Sequence, residues 1–191
     1  LLAPKVAPVW VLEGDIKGFF DHINHDWLIK NVPMNRTMLH KWLRAGVIDR
    51  RQYAATVAGT PQGGIISPCL ANATLNGLET GLKAFLAEKF GKAKSKKLKV
   101  QVVRYADDFV VLADSKELLE DVIKPWTEQF LAVRGVALSQ EKTHITHITE
   151  GFDFLGWNFR KYVLKSPTRK PKLLIKPSKK NATAFYRKVA D

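Results

Sequence analysis

Apolar and polar residues along this 191-residue chain fall into patterns that separate strands from helices. Val9 to Ile16 reads as a strand, with Val9, Val11 and Ile16 turned toward a core. Val100–Val103 and Phe109–Leu112 are continuous apolar runs that read as buried strands, and Tyr105-Ala106-Asp107-Asp108 falls at the turn between them. Shorter strands are predicted around Thr143–Ile148, Phe152–Phe159 and Leu173–Ile175.

Helices are marked by their ends. Asn24 reads as the cap of a helix running to Asn31, and a second helix from Arg36 to Ala45 stops at Gly46. Ser67-Pro68 has the form of an N-cap followed by proline at the first helical position. The helix it opens is predicted to be long, with Leu75, Leu78, Leu82, Phe85 and Leu86 on one face. A lysine-rich link, Lys92–Lys99, then feeds the hairpin. Asp114 and Glu117 resemble a capping box for a helix over Ser115–Val133, which Pro125 kinks or divides. Ser178 caps a last helix. Between Gly59 and Gly64, glycine and proline break both periodicities and predict a loop.

The order of these elements predicts an α+β fold, an antiparallel sheet with helices packed on one face. The apolar share of 46% suffices for a sizeable core. No apolar run approaches the roughly 20 residues that a bilayer crossing needs, and the start lacks the pattern of a secretory leader. One cysteine, Cys69, excludes an internal disulfide framework and a zinc ribbon, so a cytoplasmic, reducing setting is expected.

Charge adds a partner class. Lys and Arg total 31 against 18 Asp and Glu, a net charge of +13. No acidic residue occurs from Phe154 to Ala190, a stretch that includes Arg160, Lys161, Lys165, Arg169, Lys170, Lys172 and Lys176. A solvated surface would account for such a run, but strand-like apolar residues interrupt it, which favours binding to a nucleic acid.

Asp107 and Asp108 raise a chemical question. Adjacent carboxylates beside a hydrophobic hairpin are costly unless a cation compensates, although aspartate also suits turns through its own hydrogen bonds. Asp15 ends the first strand. If that strand lies beside the hairpin, Asp15, Asp107 and Asp108 converge at one end of the sheet. Three carboxylates on rigid strands match the needs of two Mg²⁺ ions about 4 Å apart, an arrangement suited to phosphoryl transfer. His22 with His25, and His144 with His147, lack the partners of a zinc site. Cys69 lacks an indicated base and reads as a packing residue.

Five segments in order carry a resemblance: Asp15–Asp21 (DIKGFFD), Thr60–Pro68 (TPQGGIISP), Tyr105–Asp108 (YADD), Leu138–Thr143 (LSQEKT) and Gly151–Trp157 (GFDFLGW). Together they resemble the palm motifs of reverse transcriptases, most closely the group II intron-encoded branch, whose proteins combine reverse transcriptase and maturase. The resemblance implies a polymerase palm-like sheet over residues 1–160 and a basic connection toward a thumb over 161–191. It implies RNA-directed DNA polymerase activity on an RNA template, a DNA primer and a dNTP, with two Mg²⁺ (or Mn²⁺ in substitution). Intron RNA is a further implied partner, in a bacterial ribonucleoprotein setting with no membrane. An RNA-binding maturase role and the retron, diversity-generating or CRISPR-linked reverse transcriptases are the alternatives.

Roles follow from the same resemblance. Asp15, Asp107 and Asp108 would hold the metal with the Ile16 carbonyl, and Lys142 would serve the pyrophosphate leaving group. Phe20 would lie under the incoming sugar, where a flat ring without a hydrogen-bonding group rejects a 2′-hydroxyl by bulk; packing beside Phe19 is its plainer role. Gln62 and Gly63 would line the nucleotide pocket, with Tyr105 among the substrate contacts, although Gly63-Gly64 also serves simply as a turn before a helix. Phe154, Leu155, Gly156 and Trp157 would form the primer grip, or else a plain core strand. The family's fingers precede the Asp15 motif, whereas only fourteen residues do so here, and the chain stops at Asp191. The expectation is an excised palm with little activity alone.

Overall fold

In a computed structural model the protein is described over residues 1–2, 7–49, 52–61, 64–162 and 171–190. The first elements are β1 (Trp10–Gly14), β2 (Ile16–Lys17), α1 (Phe19–His22), α2 (His25–Asn31), α3 (Arg36–Leu43), β3 (Val47–Asp49) and β4 (Gln52–Ala54). Then come α4 (Ser67–Leu75), α5 (Leu78–Phe90), α6 (Lys92–Lys97), β5 (Gln101–Tyr105) and β6 (Asp108–Ala113). A helical segment follows, α7 (Lys116–Leu118), one π turn (Leu119–Ile123) and α8 (Lys124–Ala132). The chain continues through β7 (Ala137–Leu138), β8 (His144–His147), β9 (Phe152–Phe154), β10 (Trp157–Tyr162), β11 (Lys172–Pro177) and α9 (Lys179–Ala190).

The central sheet is antiparallel, in the order β5–β6–β1–β8. β1 thus lies directly beside the hairpin, as the convergence of carboxylates requires. Its register sets Val11 opposite Leu112, Leu12 opposite Val111 and Gly14 opposite Phe109. A side chain at Gly14 would overlap the Phe109 ring, so glycine lets the two strands close over that ring.

Both faces of this sheet are covered. Leu12, Phe109, Val111 and Ala113 join a core with helix residues such as Leu70, Leu82 and Leu119. Val11, Val110 and Leu112 face Ile148 and Phe152, with Phe159 packed alongside, beneath a second antiparallel sheet in the order β11–β10–β9. Burial on both faces explains why β6 is continuously apolar where a half-buried strand would alternate. Each fully buried Leu or Val side chain contributes about 1.5–3 kcal/mol relative to exposure. The expected helices on one face are present; the second sheet over the other face is an addition.

Several local expectations change. The long helix after Ser67 is two helices, because Asn76 is extended and Gly77 takes φ +89°. The lysine-rich link contains α6. Ser115 caps α7 by accepting from the Leu118 amide at 3.3 Å, while Asp114 pairs with Lys99 at 2.8 Å. Pro125 does divide its helix: it has no N–H to give, and the π turn precedes it. The Phe152–Phe159 segment is a hairpin turning at Leu155-Gly156. Asn24 caps α2, and Ser178 caps α9 through the Asn181 amide, as expected. β10 and β11 pair across the basic segment, where Lys161 is buried with its ammonium 3.4 Å from the Leu2 carbonyl.

Candidate active site

Ala106 and Asp107 alone connect β5 to β6, with Tyr105 and Asp108 paired across the turn. Ala106 has φ +54° while Asp107 keeps a negative φ. Positive φ at the first central position only is the type II′ pattern, normally given to glycine. The turn is thus held in a conformation that costs an alanine about 1 kcal/mol or more. Tyr105 stands out from the sheet, 66% exposed.

Asp15 follows the last residue of β1, so the antiparallel pairing carries it to the end of the sheet where β6 begins with Asp108. Its carbonyl accepts from the Ser139 amide at 2.8 Å, fixing its backbone to the segment before Lys142. The Lys142 ammonium lies 3.7 Å from the Asp15 carboxylate. Partial desolvation, then the charges of Asp107 and Asp15, hold Asp108 above the usual carboxylate range. Water still reaches its side chain, so the like charges act across a partly solvated space.

An open pocket of about 160 Å³ gathers Asp15, Asp108, Lys142, Phe154 and Leu155 with Glu13. Residues from four expected motifs therefore meet at one place. Asp107 neighbours the pocket through the turn. Among the described residues, no three His, Cys, Asp or Glu side chains stand close enough to enclose a metal ion. The donor set nonetheless fits a hard divalent cation, which takes a few carboxylates and completes its shell with water and substrate phosphates. The charges of Asp107 and Asp15, which add to desolvation in raising Asp108, are ones that such a cation would offset. Ile16 buries its side chain in the core, leaving only its backbone for a ligand role.

The Gly59–Gly64 loop is laced to α1 and α2. Thr60 donates its amide to the Phe20 carbonyl at 2.6 Å, Gly59 donates to the Ile23 carbonyl at 2.8 Å, and His25 Nε2 lies 2.6 Å from the Gly59 carbonyl. Gly59 has φ +73°, and a Cβ there would overlap the Phe20 carbonyl oxygen. Gln62 and Gly63 lie outside the described residues. Ser67 does not act as the N-cap that its sequence suggests. Its buried hydroxyl donates to the Pro61 carbonyl at 2.8 Å, folding the loop back on itself, and Ile66 takes the cap position. Phe20 is half-buried, edge-on to Phe19 with ring centres 5.5 Å apart.

Phe154 and Trp157 pair across a two-residue turn formed by Leu155 and Gly156, with φ +50° and +80°. Two positive values define a type I′ turn, unusual for a leucine. Phe154 packs into the second core, while Leu155 and Trp157 stand exposed. The Gly156 carbonyl accepts from the Ser178 amide at 2.9 Å and the Asn181 side chain at 3.3 Å, which joins the turn to α9.

Three contributors escape a reading by motif. Glu13 lines the same pocket, His25 pins the loop, and Arg104 donates to the Ala106 carbonyl at 2.8 Å. Only Glu13 gave a sequence signal, a charge inside an apolar strand. His147 contacts Thr149 at 2.7 Å and sets its ring edge-on to Trp10. Cys69 is exposed and does not pack as expected, because it lies in the first turn of α4 on the side facing solvent.

The family described as "Reverse transcriptase (RNA-dependent DNA polymerase)" matches residues 2–159. Protein YkfC of Escherichia coli is 32% identical, the match covering 77% of this chain and 46% of that protein. The group II intron-encoded protein LtrA of Lactococcus lactis is 31% identical, covering 79% of this chain and 35% of that protein. The chain thus spans less than half the length of these relatives. The apo telomerase of Candida tropicalis, truncated from its C-terminal domain, has a similar fold, with a TM-score of 0.60 at 16% identity over 81% of this chain and 34% of that one.

Proposed function

Because the chain belongs to the reverse transcriptase (RNA-dependent DNA polymerase) family, we propose that it acts as a group II intron-type palm that adds deoxynucleotides to a DNA primer on an RNA template. The observation that carries this reading is the meeting of Asp15, Asp108, Lys142 and Leu155 around one pocket beside the Asp107 turn. Similarity to LtrA supports the group II assignment and intron RNA as a further partner.

In this reading the Asp15, Asp107 and Asp108 carboxylates and the Ile16 carbonyl hold two Mg²⁺, for which Mn²⁺ can substitute. Divalent cations held there would supply charge stabilisation for phosphoryl transfer. The primer 3′-oxygen attacks the α-phosphorus, the bond to pyrophosphate breaks, and the hydroxyl proton passes to solvent. Lys142, beside Asp15, serves in this reading to neutralise or protonate the departing pyrophosphate. Gln62 and Gly63 line the nucleotide pocket, Tyr105 contacts the substrate, and Phe20 blocks a 2′-hydroxyl. Phe154 to Trp157 hold the primer end. Residues 1–160 form the palm and 161–191 lead toward a thumb. Catalysis in this scheme is positioning and charge stabilisation.

The test is extension of a DNA primer on an RNA template with dNTPs and Mg²⁺, comparing the chain with Asp107→Asn. Extension by the wild type above the background of the variant is expected, at a low rate. Equal extension by both, or none by either once primer–template binding is saturated, would sink the proposal. Joint replacement of Asp107 and Asp108 by alanine separates polymerisation from maturase-type RNA binding, which should survive.

A further inference from the structure

Arg104 lies on β5 one residue before Tyr105, and its guanidinium has no part in the chemistry above. Its Nη1 donates to two acceptors, the Asn72 side-chain oxygen on α4 at 3.0 Å and the Ala106 carbonyl at 2.8 Å. The second acceptor is informative. It belongs to the peptide joining the two central residues of the turn, the unit whose flip interconverts turn types. The positive φ of Ala106 is common to both turn types that such a flip interconverts, so it does not by itself select this peptide orientation. A charge-assisted hydrogen bond to that carbonyl opposes the flip.

We propose that Arg104 is a positioning residue, which anchors the Ala106–Asp107 peptide to α4 and so aims the Asp107 and Asp108 carboxylates at Asp15. This rests on the reading of those carboxylates as metal ligands. α4 follows directly from the loop that would hold the incoming nucleotide. Arg104 therefore links the nucleotide side of the site to its metal side through Asn72.

Mn²⁺ titration of the whole chain, followed by the loss of the free-ion electron paramagnetic resonance signal, tests this without turnover. Arg104→Met keeps the apolar stem and removes both hydrogen bonds, and Asn72→Ala removes only the anchor on α4. Arg104→Met should weaken Mn²⁺ binding about five- to tenfold, and Asn72→Ala by a smaller factor in the same direction. Melting temperatures and far-ultraviolet circular dichroism of all variants identify any general loss of fold. Unchanged affinity in an Arg104→Met variant that keeps its fold overturns the proposal. Asp15→Asn and Asp107→Asn separate the two levels. If neither lowers Mn²⁺ affinity, the metal-ligand reading itself fails. If both do and Arg104→Met does not, only the role of Arg104 fails.

Discussion

The Glu13 carboxylate accepts a hydrogen bond from the Thr146 hydroxyl at 3.0 Å, two residues before Asp15. The backbone of Asp153 also bonds to it, so one side chain on β1 links its sheet neighbour β8 to the β9–β10 hairpin of the second sheet. Burial raises Glu13 above the usual carboxylate range, against the pull of Thr146, His144 and the Asp153 backbone.

A raised value means that the folded state favours the neutral acid. This contribution is fully present below the unfolded carboxylate pKa near 4.3 and fades as pH rises through the higher folded value. Glu13→Gln stays neutral throughout. Its melting temperature should therefore gain on the wild type, by on the order of 2 °C, between about pH 4 and pH 8. Parallel melting curves across that range would exclude the effect.

Asp108→Asn removes one of three mutually repelling charges. Asp108 is also held above its ordinary value, so its ionisation costs folding stability once pH passes that range. Without divalent cations the variant should melt about 1 °C above the wild type at neutral pH, a small effect because solvent screens the group. Added Mg²⁺ should raise the wild type more than the variant. Differential scanning fluorimetry with and without Mg²⁺ reads both comparisons.

Gly59→Ala combines a positive φ with a Cβ driven into the Phe20 carbonyl. The loop must move, breaking the hydrogen bonds from the Thr60 and Gly59 amides to the Phe20 and Ile23 carbonyls and the His25 contact. A loss of about 2–4 kcal/mol is expected in urea denaturation. Thermolysin cleavage within residues 55–66 should become faster. A stability within 0.5 kcal/mol of the wild type, on the order of ordinary surface changes, would show that the close approach is not required.

Leu155→Asn relieves a left-handed leucine at an exposed turn and should add about 0.5–1 kcal/mol of stability. If Leu155 contacts the primer, the same change lowers primer–template affinity, measured by fluorescence anisotropy. Stability and binding would then move in opposite directions, as happens where function retains strain.

Much of this geometry is legible in the sequence because the chemistry is local. An apolar run ending in Asp15, and another beginning at Asp108, need only an adjacent antiparallel pairing to bring their carboxylates together. The bracing is not legible, because it depends on residues distant along the chain. Ser67 reads as a cap, yet its hydroxyl turns back to Pro61, a choice set by the folded loop. Arg104 reads as an ordinary strand residue until α4 places Asn72 beside it. The break at Asn76-Gly77 was hidden by leucines whose helical spacing continues across it. The strand residues at Phe152–Phe159 and Leu173–Ile175 were legible, but their pairing into a second layer over Val11 and Leu112 was not, because it depends on contacts distant along the chain.

A strand buried on both faces has no permissive side. For β6 this means that inherited variation has almost nowhere to act without reaching Asp108: a side chain enlarged toward the helices or toward the second sheet displaces the same backbone. Sequence drift in such a protein is pushed outward, to the sheet margins and surface helices. A lineage can then change its outer surface extensively while the acidic end of β6 stays in place.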